Sequence, residues 1–83
     1  MRYASVSSDV VAASDDRERA YLAFERQRSV RELRRRIVTM REDARYWRRR
    51  GQIDTALELE RVASFVEATV RKLVDSIEMI RKG

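Results

Sequence analysis

The sequence predicts an all-α protein: an antiparallel helical hairpin of two long helices with a short N-terminal segment, assembling as a dimeric four-helix bundle or coiled coil. Three features carry that prediction. Among 83 residues proline is absent and glycine occurs only at positions 51 and 83, so a helix meets one internal break. Charged residues make up 40% of the chain, which suits the solvated faces of helices better than a sheet. On both sides of Gly51 the apolar residues recur at steps of three and four, where a strand would need steps of two.

Residues 1–13 alternate weakly (Tyr3, Val6, Val10, Val11) and are expected to form a tail or a short extra helix. Ser7, Ser8 and Asp9 interrupt the apolar residues there, so no secretory signal is expected. The helical hairpin is placed over residues 14–83. Ser14, Asp15 and Asp16 offer a cap and first-turn acids that suit the exposed amides and positive end of a starting helix. The first helix is therefore predicted over residues 14–50, with Val30, Leu33, Ile37, Met40, Ala44 and Trp47 along its seam. Gly51 ends it in the left-handed conformation that glycine adopts most easily.

Gln52 or Asp54 can open the second helix, predicted over residues 53–82. Ala56, Leu59, Ala63, Val66, Val70, Leu73, Ile77 and Ile80 keep the three–four rhythm without a miss. That spacing outweighs the weak strand preference of its many valines and isoleucines. The two helices should run about 45 to 55 Å at 1.5 Å per residue, and the short connection folds them back antiparallel.

The stretch from Trp47 through Gly51 and Ile53 to Glu58 resembles the turn of a tetratricopeptide repeat. Trp47 falls where that family carries an aromatic residue, Gly51 and Ile53 sit at the turn, and Ala44, Ala56 and Ala63 match its small positions. The resemblance implies a tight turn with close helix contact at the three alanines, and implies nothing about activity. Asp43 and Glu60 stand where the family prefers apolar side chains, Ala68 replaces its terminal proline, and both helices overrun a unit of about 34 residues.

A two-stranded seam needs two apolar positions in seven, and the second helix has more. Val62, Phe65, Val74 and Met79 lie beside the seam or around the corner from it. A stripe wider than one neighbour can cover, in a chain this short, predicts a further contact. A second copy forming a four-helix bundle is the expected solution and a dedicated partner helix the rival. The expected interface is Leu59, Val62, Phe65, Val66, Val70, Leu73, Val74, Ile77 and Ile80.

Charge is unevenly placed. The formal net charge is +5, from seventeen arginines and two lysines against fourteen acids. Residues 28–50 carry ten arginines and three acids, a net +7, whereas residues 54–83 carry six acids and five bases. Arg34, Arg41 and Arg48 recur every seven residues along one flank of the seam; Arg28, Arg35, Arg45 and Arg49 extend the basic surface, and together these seven form a candidate binding ridge. Glu60 and Glu67 occupy matching places on the second helix and can absorb part of it, as can local pairs such as Arg28 with Glu32. Tyr46 beside Trp47 could stack on a base, an arginine or a partner surface, while Trp47 itself is expected in the seam. Tyr21, Leu22 and Phe24 span nearly every direction of one turn, making Tyr21 and Phe24 candidate contacts as well.

With no histidine and no cysteine, the commonest general base, thiol nucleophile and nitrogen or sulfur metal ligands are missing. No catalytic residue, cofactor or metal is expected, and no apolar run approaches the roughly 20 residues of a membrane span. A cytoplasmic location is the default expectation. The first functional reading is a non-enzymatic, oligomerising interaction module, a regulator, adaptor, co-chaperone or inhibitor that meets an acidic partner protein through the arginine-rich face. The alternative is a basic bundle that binds RNA or DNA through the same ridge, nonspecifically or by shape.

Overall fold

The computed structural model describes residues 8–82, with side-chain surroundings from Asp15 onward. It is an all-helical hairpin: α1, Ser8–Arg49, and α2, Ile53–Lys82, packed against each other. Helix α1 starts earlier than the expected opening at Ser14. Neither proline nor glycine stands among residues 8–14, and once a helix is nucleated each added residue costs little. Ser14 is therefore an interior residue of α1, and residues 8–13 belong to the same helix. The expectation for residues 1–7 falls outside the described residues.

Local hydrogen bonds close α1. The Gln52 amide donates to the Trp47 carbonyl at 2.9 Å and the Gly51 amide to the Arg48 carbonyl at 3.1 Å, while Gly51 adopts φ +82°. These are the two bonds of a Schellman cap, with glycine at its left-handed position. The Ala56 amide then donates to the Gln52 carbonyl, which makes Gln52 the residue that opens α2, with Asp54 in its first turn near the positive helix end.

The core is a single seam. Ala23, Val30, Ile37 and Ala44 on α1 and Ala56, Ala63, Val70 and Ile77 on α2 are buried, each set at intervals of seven. A straight helix drifts by about 20° per seven residues, so a strict seven-residue repeat favours a gentle left-handed winding of the pair. Around the seam, Leu33, Met40, Val66, Leu73, Val74 and Ile80 are half-buried. Toward the turn the seam is built from alanine alone, Ala44, Ala56 and Ala63, in the close contact that the tetratricopeptide-like turn implies. Ala23 carries the seam one heptad beyond Val30, where the spacing of the larger apolar residues begins.

Trp47 is the correction within this core. It is 37% exposed, and the seam ends at Ala44 instead. Its ring meets the Tyr46 ring edge to face, with centroids 5.1 Å apart. A seam of methyl groups leaves no room for an indole between the helices, so the ring lies on the rim.

The helices differ in length. At about 1.5 Å per residue α1 spans about 63 Å and α2 about 45 Å, so the N-terminal part of α1 projects beyond the end of its neighbour.

Candidate functional site

The described residues present two flanks of unlike chemistry. Ion pairs line the first. Arg48 donates to the Glu60 carboxylate at 2.7 Å, and Arg41 pairs with Glu67. A step of seven back along α1 matches a step of seven forward along α2, as an antiparallel register demands. Both pairs are close to half exposed, so each contributes on the order of 0.5 kcal/mol. Two of the three arginines spaced by seven along the seam thus have acidic partners across the helix pair, at the matching places of Glu60 and Glu67. Arg34, the third, has none among the described residues.

The remaining ridge residues point away from the seam. Arg28 reaches Glu32 at 3.7 Å along its own helix, while Arg35, Arg45 and Arg49 are exposed and unpaired among the described residues. The basic surface therefore runs along one side of α1, with Arg41 and Arg48 tied to acids across the seam and Arg35, Arg45 and Arg49 exposed beside them.

The second flank is apolar. Leu59, Val66, Leu73 and Ile80 recur every seven residues along α2, with Leu33 and Met40 on α1, all half-buried. Trp47 adjoins Leu59 at the turn end, where Asp43, Asp54 and Glu58 edge a hollow of about 500 Å³. One step further around α2 stands Val62, 39% exposed, and beyond it Phe65 and Met79, each 74% exposed, with the exposed Lys72 midway between them at the same heptad position. Thr69 and Ser76, neutral and half-buried, continue the row that Val62 begins. At the far end the Arg26 guanidinium donates to the Ser76 hydroxyl across the helix pair.

Three residues of the expected interface lie off this flank. Val70 and Ile77 are buried in the hairpin's own seam. Val74, seven residues after Glu67, falls on the ion-pair flank, beside Arg34 and Arg81. Chain spacing identifies the apolar residues of a helix, and only a register shows which neighbour each one meets.

Of the aromatic candidates, Tyr46 carries the Arg50 guanidinium 4.5 Å from its ring centroid, a cation–π contact that occupies one of its faces. Tyr21 and Phe24 are both exposed on the projecting side of α1, on either side of the buried Ala23. Among the described residues no group of three or more acidic side chains is placed to hold a metal ion, and no helix is long and apolar enough to cross a membrane.

A two-helix hairpin with one ion-paired flank and one apolar flank is the class that fold and surface define. Comparison with protein-family models, curated proteins and solved structures found no match.

Proposed function

We propose that this chain is a non-enzymatic interaction module, a hairpin that pairs with a second copy through its apolar flank to form a four-helix bundle and presents the arginine-rich side of α1 to an acidic partner protein. One observation carries the reading: a row of half-buried aliphatic residues on α2, bordered by the largely exposed Phe65 and Met79 with Lys72 between them, and with no charged residue at positions 59, 62, 66, 69, 73, 76 or 80.

Surface area supports it. The chain exposes 7012 Å², whereas a compact monomer of its mass would expose roughly 5,200 Å². The excess, about 1,800 Å² per chain, is about twice the roughly 800 Å² that each partner of a standard two-protein interface buries. A two-fold arrangement places the same patch on both sides and closes the assembly at two.

The test is solution mass. A particle about twice the 9.9 kDa chain is expected, unchanged between 50 and 200 mM salt because its centre is apolar. Replacing Phe65 and Met79 with lysine should convert it to a monomer that keeps its helical spectrum, since both side chains are largely exposed in the single hairpin. A wild-type monomer that unfolds in one sharp transition would reject the assembly.

A further inference from the structure

The ion-pair flank changes character halfway along the hairpin. Near the turn, Arg48 and Arg41 are matched by Glu60 and Glu67. Continued by sevens in the same register, the ladder brings Arg34 to Val74 and Gln27 to Arg81. The places on α2 that held glutamates now hold a valine and an arginine. A hollow of about 520 Å³ opens at this point, with Val30, Val74 and Ile77 as its floor and Arg31, Arg34 and Arg81 around it. Glu78 is the one acid lining it, and the three arginines make no ion pair among the described residues.

We propose that this hollow docks an acidic amphipathic helix of a partner protein, whose carboxylates take beside Arg34 and Arg81 the part that Glu60 and Glu67 take nearer the turn. The proposal deepens the partner-contact half of the function proposed above and rests on it. The apolar floor selects the occupant. A helix with leucines on one face and glutamates at its edges can seat aliphatic side chains on Val74 and Ile77 while its carboxylates reach the guanidinium groups. A nucleic-acid backbone has phosphates for the arginines and nothing apolar for the floor. Phe24, more than half exposed at the hollow's edge, adds a ring against which the docked helix can pack.

The probe is a fluorescently labelled synthetic helix with leucines in a heptad pattern flanked by glutamates. Its controls are the same peptide with every glutamate replaced by glutamine, and a short duplex RNA. Binding is read by anisotropy at 100 mM salt. The acidic peptide is expected to bind and the glutamine peptide to bind about tenfold or more weakly, because each charge-assisted contact at a partly exposed site is worth up to about fivefold. Val74→Glu supplies the missing carboxylate from within the chain, beside Arg34; it should abolish peptide binding while the thermal midpoint holds or rises. Arg34→Gln combined with Arg81→Gln alters exposed side chains alone and should weaken binding by roughly tenfold, so the site can be read even if the valine variant folds poorly.

Equal binding by wild type and the double arginine variant would overturn the proposal, as would equal binding of the acidic and glutamine peptides. Duplex RNA that binds more tightly than the peptide and is lost in the same variants would assign the hollow to nucleic acid instead. Solution mass measured on the same samples separates the two claims. A dimer that ignores the peptide rejects this docking site alone, and a monomer that binds it rejects the four-helix assembly alone.

Discussion

Gly51 stands at φ +82°, a conformation in which an L side chain meets its own backbone. A Cβ placed there would meet no other atom within 4 Å, so the cost of Gly51→Ala is conformational and not a clash. We expect that variant to lose about 1 kcal/mol of stability with the helical content unchanged, measurable by urea unfolding. A loss below a few tenths would mean that the cap does not hold the turn. Sequence made this position legible because glycine is the one residue type for which the left-handed region is ordinary. Trp47 was not legible in the same way. Its spacing from Ala44 put it in the seam, and only the closeness of an all-alanine contact excludes it.

At the scale of the element, α1 and α2 are bound by a seam that buries one residue in seven on each helix, flanked by partly exposed pairs. Hydroxyl residues within the helices do not disturb this. Ser29, Thr39 and Thr69 each donate to the carbonyl four residues earlier, satisfying themselves locally. The ion pairs fit the register that packing sets and add little stability. A double-mutant cycle on Arg48 and Glu60, with glutamine at each, should give a coupling of about 0.5 kcal/mol at low salt that shrinks further at 1 M salt. A coupling of several kcal/mol would show instead that the pair is held away from water in the assembled protein. The heptad pattern identified this element directly. The upstream start of α1 was less readable, because Ser14, Asp15 and Asp16 suit a cap and suit a solvated helix interior about equally well.

For the whole molecule, the governing fact is shape. The Cα extents are 72 × 21 × 14 Å, a rod two helices wide, whose apolar stripe has one covered side and one open side. If the open side is closed by a second copy, folding and association share one equilibrium. The thermal midpoint should then climb as protein concentration rises from the micromolar to the millimolar range. A midpoint independent of concentration across that range, together with a monomeric mass, would leave the exposed row without the role proposed for it.

The sequence by itself determined the helices, the turn, the seam and the concentration of positive charge on α1, because helix periodicity, glycine conformation and charge are properties of residues along one chain. Tertiary structure decided which apolar residues the hairpin consumes and which it leaves open. It hid Val70 and Ile77, turned Val74 to the arginine flank, left Phe65 and Met79 in solvent, and matched Arg41 and Arg48 to acids while Arg34 has none among the described residues. The reason is register. A residue's neighbour across a helix pair depends on how far one helix slides along the other, and that offset comes from packing of both helices at once rather than from either pattern alone.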